Sequence, residues 1–401
     1  MNSELQETVD LDAAYVMHTY GRLPVAFERG EGTRLYDEEG TEYLDFLAGI
    51  ASCPLGHADP AVTAAIADQA SKVIQTSNYF YSRTRGLVAQ EIASIAGPEL
   101  GWKTFFGNSG AEANECAMKV ARRWGVDHGG VGRQTIVVLK GSFHGRTMET
   151  LAATAQGWLQ DPFQPLPGGF RAVTRNDEAE LDAAMGPDVC AIMMEPIQGE
   201  SGVWPLTDSY LAHVRKVADE WGCLVIFDEV QTGLYRCGKP LCFQTVAGEG
   251  GELLAVPDIF TLAKGIANGV PCAACVVRGE IAGSLKPGMH GSTFGGNPLA
   301  MAAAYATLTR LRELKADEHA VEMGAYLRER LAELPYVTEV RGKGLMVGAS
   351  VEGRNAHDIV NALLERHIVS NACNDAVLRF LPALVVEKDD VDRLVAELAM
   401  L

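Results

Sequence analysis

Between about residues 100 and 280, short apolar runs alternate with stretches of helical periodicity. The runs fall at 135–139, 189–194, 223–227, 259–262 and 272–277. Unbroken apolar runs of this length suit strands covered on both faces, where period-two alternation disappears. Helical stretches such as 211–220 supply the crossovers. The pattern predicts an α/β domain with a mostly parallel central sheet and helices on both faces.

The flanks read differently. Residues 1 to about 50 predict a helix, then strand, turn and strand. The turn is Tyr36-Asp37-Glu38-Glu39-Gly40, ahead of Tyr43-Leu44-Asp45. Residues 57–99 predict helix, with apolar positions Val62, Ile66, Val73, Val88, Ile92 and Ile95. Beyond 297 come helices at 298–315 and 318–334, strands near 337–340 and 345–351, a helix near 356–366, and a last helix opened by Asp389 and Asp390. The expected division is 1–55 and 297–401 as the two parts of a smaller α+β domain, with 56–296 as the large domain. No repeat or low-complexity tract interrupts the chain.

Composition narrows the function classes. Apolar residues make up 47 % of 401, enough for a sizeable core. The 34 Lys+Arg against 52 Asp+Glu give a net charge of −18, the wrong balance for a nucleic-acid binder. No stretch reaches the ~18–20 apolar residues of a membrane helix. The opening MNSELQETVDLDAAYV is acidic and carries no apolar core, so no signal peptide is expected. Nine cysteines lie scattered, mostly in apolar runs, as reduced thiols of a cytoplasmic protein do. Cys272 and Cys275 form a C-x-x-C, open to a redox or metal role. A buried strand is the preferred reading, because no second Cys/His pair stands at zinc spacing.

In open parallel sheets, ligands bind beyond the carboxyl ends of the strands. Glu195 follows the run at 189–194, Asp228 and Glu229 follow 223–227, and Lys264 follows 259–262. Any one of these reads equally as a helix cap or surface turn. Three in succession on one rim point to a site. Gly107-Asn108-Ser109-Gly110-Ala111-Glu112 follows a short apolar run and opens a helix. It is either a structural strand-to-helix turn or a phosphate seat, since free amides at a helix N-terminus favour an anion. Ser142-Phe143-His144-Gly145-Arg146-Thr147 offers an aromatic to stack on a flat ring and an arginine for a carboxylate, or else a core Phe and a surface Arg. Ser292 and Thr293, in a glycine-rich stretch before Pro298, are either loop residues or anion-binding hydroxyls. Arg379, amid apolar neighbours, needs a partner: a structural acid or an anionic substrate.

Taken together, these segments resemble the class III aminotransferases of fold type I, which use pyridoxal 5'-phosphate. The matching stretches are YGRLPVAFERGEG (20–32), YLDFLAGIA (43–51), GNSGAEANE, SFHGRT, EPIQGE (195–200), FDEVQTG (227–233), LAKG (262–265), HGSTFGGNP and LRFLPALVV (378–386), in order over nearly the whole chain. The similarity is greatest to members acting on N2-acetylornithine. It implies transfer of the δ-amino group to 2-oxoglutarate, in arginine biosynthesis. Succinylornithine, ornithine, N-succinyl-diaminopimelate and 4-aminobutyrate are alternative donors, and an isomerase of the same fold is an alternative activity. By the same resemblance, 56–296 is the cofactor-binding domain.

The resemblance also implies roles. Lys264 would hold the cofactor aldehyde covalently and move the substrate proton, and Asp228 would pair with the pyridine nitrogen. Gln231 would bond the ring hydroxyl, and Phe143 would stack on the ring. Ser109, Gly110 and Ala111 would bind the phosphate. Thr293 would reach that phosphate from the partner subunit, making a homodimer necessary. Ser292 and Arg146 would meet the carboxylate of the acylated ornithine. Arg379 would take the α-carboxylate of glutamate or 2-oxoglutarate, and Glu200 would neutralise it otherwise. Ser201, Tyr235, Cys53-Pro54 and Ala267 depart from the common family pattern. All four are expected near the substrate mouth.

Overall fold

The computed structural model describes residues 3–401. Its centre is a seven-stranded sheet. The order is Lys103–Gly107, Ala273–Val277, Ile259–Leu262, Leu224–Asp228, Val189–Met194, Thr135–Leu139 and Phe170–Val173. The strand Ala273–Val277 pairs antiparallel with both neighbours. The other six point one way. Each apolar run of the sequence is therefore a strand of this sheet.

The unbroken runs exist because alternate side chains enter two different cores. Val137, Leu139, Ile192, Met194, Val225 and Phe227 join one core. Their neighbours Ile136, Val138, Ala191, Met193, Leu224 and Ile226 join the other. The helix Asp208–Trp221 covers the first face through Tyr210, Leu211, Val214 and Val217. The helix Gly110–Gly129 covers the second through Ala113, Cys116, Ala117 and Val120. Cys275 lies fully buried in its strand, with Cys272 buried just before it, so the C-x-x-C is a strand feature.

Among the elements that differ from the sequence expectation, two lie in the expected large domain. The single helix expected over 57–99 is two, Pro60–Ala70 and Arg83–Ala96. Asp59 caps the first by accepting from the Ala61 and Val62 amides, and Ser82 caps the second at the Arg85 amide. Between them Gln75 Oε1 accepts from the amides of Thr76 and Ser77, a local bond that competes with helix. Val73 is therefore off the helix and 41 % exposed. The second difference is the edge strand Phe170–Val173, whose half-exposed positions leave no apolar run to read.

The termini meet in space. Strands Phe27–Glu31, Arg34–Asp37 and Glu42–Asp45 are extended by Ile368–Val369, which pairs parallel at Leu44 and Asp45. A four-stranded antiparallel sheet is ordered Val337–Lys343, Met346–Val351, Val377–Phe380, Asn371–Asn374. It holds Arg379 at the centre of a fully buried strand. No described helix is long and apolar enough to cross a membrane.

Candidate active site

The rim of the central sheet gathers the three strand-end residues. Glu195, Asp228 and Lys264 line one cavity of about 360 Å³. Ligand pockets run from roughly 300 to 1,000 Å³, so this is room for one small cofactor-sized molecule. Lys264 sits at φ 41°, in the left-handed region that a lysine rarely takes. Its Nζ makes no hydrogen bond to any described residue. Burial lowers its pKa, against the pull of Glu200 and with the push of Arg379.

Asp228 is fixed by its neighbours. Oδ2 accepts from Asn114 Nδ2 at 2.7 Å and lies 2.8 Å from His144 Nδ1, while Oδ1 accepts from the Val230 amide at 3.0 Å. A carboxylate accepts only, which sets the proton on His144 Nδ1. Burial would lower the His144 pKa, but the bond and charge of Asp228 outweigh it, and the net direction is up. Asn114, on the helix Gly110–Gly129, also accepts from Thr261 at 2.8 Å.

Around this floor stand three walls. Ser109 caps the helix Gly110–Gly129, and Ser109, Gly110 and Ala111 border the cavity, so the positive end of a long helix faces it. Phe143 and Val230 also border it. Arg146 is exposed, its guanidinium 5.4 Å from the Phe143 ring centroid, and does not line the cavity. The far wall is made by Glu200 and Gln231; Arg379, which does not line the cavity, donates from Nη1 to Glu200 Oε1 at 2.6 Å, and Gln231 Nε2 donates to the same oxygen at 3.0 Å. Asn371 Oδ1 accepts from Arg379 Nε at 3.0 Å and from Nη2 at 2.7 Å. Burial alone would raise the Glu200 pKa, but Arg379 and Lys264 overcome it and hold it at about 2. The pair is fully charged at neutral pH.

Ser292 and Thr293 lie elsewhere. Both border a second cavity of about 760 Å³ with Asn78, Tyr79 and Arg85. Ser292 Oγ still accepts from Asn108 Nδ2 at 3.2 Å, and Asn108 borders the Lys264 cavity. Thr293 has no such link among the described residues.

None of the four departures from the family pattern lines the cavity. Tyr235 and Ala267 are buried in the main core. Ser201 Oγ turns to Gln198 at 3.5 Å. Cys53 lies 3.8 Å from Ser52 Oγ, and Ser52, not Cys53, borders the cavity. Conversely, sequence reasoning passed over Asn114, His144 and Asn371. The available signal was a polar residue on an apolar helix face for Asn114, and a place between Phe143 and Arg146 for His144.

A buried amine, a clamped carboxylate, an aromatic wall and a helix N-terminus on one cavity form a donor set for a phosphorylated ring aldehyde. The family comparison decides the matter: residues 15–401 match the model of Aminotransferase class-III. The chain belongs to the class III aminotransferases. It is 43 % identical over 391 residues to an acetylornithine aminotransferase of Methanocaldococcus jannaschii, covering 96 % of each chain. A second acetylornithine aminotransferase, from Caldanaerobacter subterraneus, is 43 % identical over 388 residues, again 96 % of each. Among solved structures, the ornithine aminotransferase of Toxoplasma gondii superposes with a TM-score of 0.92 at 32 % identity, covering 100 % of this chain and 95 % of that one. The acetylornithine aminotransferase of Elizabethkingia anophelis gives 0.85 at 31 %, covering 99 % and 98 %.

This class III aminotransferase thus has the fold-type-I architecture and depends on pyridoxal 5'-phosphate. The residues present fit that group. Bound there, it supplies an electron sink for a carbanion at the amine-bearing carbon.

Proposed function

We propose that this enzyme moves the δ-amino group of N2-acetyl-L-ornithine to 2-oxoglutarate, giving N-acetylglutamate 5-semialdehyde and L-glutamate, a step of arginine biosynthesis. The observation that carries this reading is the charged pair of Arg379 with Glu200, a residue that lines the Lys264–Asp228 cavity. Two substrates use one pocket in turn, and one of them carries an extra carboxylate beside its amine. Glu200 masks Arg379 while the ω-amino donor is bound. Glu200 releases Arg379 when glutamate or 2-oxoglutarate brings its own α-carboxylate, which the guanidinium binds through two parallel hydrogen bonds. Ping-pong kinetics follow.

The other residues take matching tasks. Nζ of Lys264 would bind the cofactor and take the proton from the reacting carbon. Asp228 would keep a proton on the ring nitrogen, Phe143 and Val230 would pack on the ring, and Gln231 would bond its hydroxyl. Ser109, Gly110 and Ala111 would hold the phosphate. Ser292 and Arg146, which do not line the cavity but contact its lining residues Asn108 and Phe143, would receive the carboxylate of the acylated donor.

Thr293 acts on a second copy, in a homodimer with shared sites. Its distance from its own Lys264 cavity supports this, as do the exposed Tyr79, Tyr81 and Phe80 beside the second cavity, at 95 %, 104 % and 66 % exposure. The segments 1–55 and 297–401 form the smaller domain around 56–296, supported by the pairing of Ile368–Val369 with Glu42–Asp45. A cytoplasmic location accords with nine unbridged cysteines.

The deciding experiment measures glutamate formation from 2-oxoglutarate with acetylornithine, succinylornithine, ornithine, N-succinyl-diaminopimelate and 4-aminobutyrate. The highest kcat/KM is expected with acetylornithine. The fit to the Toxoplasma structure favours ornithine as the second reading. Equal or better turnover of ornithine would replace the first reading with the second. Product formed without 2-oxoglutarate would instead indicate an isomerase.

A further inference from the structure

Glu195 follows the strand Val189–Met194, borders the cavity, and has no task in the scheme above. Its two carboxylate oxygens hold two different backbone segments. Oε1 accepts from the Phe143 amide at 2.9 Å, and Oε2 accepts from the Gly199 amide at 3.2 Å. Phe143 carries the aromatic wall, and Gly199 immediately precedes Glu200. The Gly199 carbonyl in turn accepts from Arg379 Nη1 at 3.4 Å and from Cys373 Sγ at 3.5 Å. A Cβ at Gly199 would come 2.0 Å from Gln231 Oε1, so the glycine gives Gln231 its seat. One residue, Gly199, therefore meets Glu195 through its amide, Arg379 through its carbonyl and Gln231 at its Cα.

We infer that Glu195 is a positioning residue that couples the aromatic wall at Phe143 to the Glu200–Arg379 pair through the backbone of Gly199. The inference rests on the reading of that pair as the seat of the second substrate. A carboxylate has two acceptor oxygens and no donor, as two facing amides require. Glutamine at this position would set its own NH₂ against one of them, and a buried unpaired donor is costly.

The charge of Glu195 matters as well. It is 5 % exposed, and burial raises its pKa to about 7, with Asp228 adding to the rise and His144 and the two amides opposing it. His144 and Asp228 face it from the floor, and its charge also reaches Lys264 and Arg379. Its negative charge opposes the lowering of the Lys264 pKa, as a smaller influence than burial or Glu200.

The test uses the holoenzyme and its Glu195→Gln and Glu195→Asp variants. Two quantities are read: the pH midpoint of the bound cofactor's visible absorbance, and single-turnover rates with acetylornithine and with glutamate. Glu195→Gln is expected to retain cofactor and to lower the midpoint by about 0.5 unit or more, because a nearby negative charge is lost. It is also expected to slow the glutamate half-reaction at least about tenfold more than the other, roughly 1.4 kcal/mol of differential barrier. Glu195→Asp keeps the charge and the midpoint but is too short to span both amides, so the rate ratio shifts alone. An unchanged ratio in Glu195→Gln overturns the coupling, whether or not the midpoint moves. Should Glu195→Gln be insoluble, the ratio in Glu195→Asp decides. A wild type with no glutamate half-reaction overturns the two-substrate reading itself, which separates the two failures.

Discussion

His144 Nδ1 and Asn114 Nδ2 converge on the same Asp228 oxygen, at 2.8 and 2.7 Å. Asp228 is 3 % exposed, and His144 2 %. Two donors on one oxygen aim the carboxylate into the cavity and leave its orientation little freedom. His144→Phe fills the space but removes one donor from a buried carboxylate, a loss of about 1–3 kcal/mol. Thermal melting of the apoenzyme should show that loss, and kcat should fall with cofactor still bound. An unchanged melting temperature and kcat would mean that Asn114 and the Val230 amide suffice.

Lys264→Ala separates fold from chemistry. The side chain makes no hydrogen bond to a described residue, and its methylenes line a cavity instead of filling a core. Its removal should leave the melting temperature of the apoprotein nearly unchanged. Turnover should disappear, together with the covalent capture of cofactor by borohydride. Turnover above about a tenth of wild type would show that another base moves the proton, since general acid–base catalysis alone contributes some 10²–10⁴-fold.

What the chain discloses about this site follows distance along it. Glu195, Asp228 and Lys264 are legible because each follows an apolar run, and strand direction then puts them on one rim. Arg379 is legible as a charge in an apolar strand, and its partner Glu200 comes from 179 residues earlier. Asn114 and His144 are not legible, because their value depends on meeting Asp228, 114 and 84 residues further along. The same limit misplaced Tyr235 and Ala267: departures from a family pattern give a position in the chain, and packing put both in the core. The break at 71–82 was hidden because Val73 keeps the helical spacing while Gln75 takes the next two amides.

The His57–Asp45 pair, bonded at 2.7 Å, predicts a pH-dependent part of stability outside the cavity. The hydrogen bond to Asp45, then that to Cys53, raises the His57 pKa from 6.5 to about 9, against burial. A raised folded-state pKa stabilises fully below the unfolded value and ceases to do so as pH climbs through the folded value. The stability difference between wild type and His57→Gln should thus be level below pH 6.5 and shrink between 6.5 and about 9. Its plateau should be about 1–3 kcal/mol, from one pKa unit being worth ~1.4 kcal/mol. Urea unfolding at a series of pH values checks both. A difference that grows toward pH 9 would contradict the assignment.

Arg379→Lys tests the recognition of the second substrate. Lysine keeps the charge and can still meet Glu200, but it cannot offer the planar fork that now spans Glu200 and Asn371. Replacing a two-bond contact by a point charge should raise KM for 2-oxoglutarate about 10- to 100-fold, or ~1.4–2.7 kcal/mol. KM for acetylornithine should change far less, if in that half-reaction Glu200 masks the guanidinium as proposed. Steady-state kinetics with each substrate varied in turn give both constants. Equal rises in the two would mean that Arg379 supports the cavity wall and does not discriminate between the substrates.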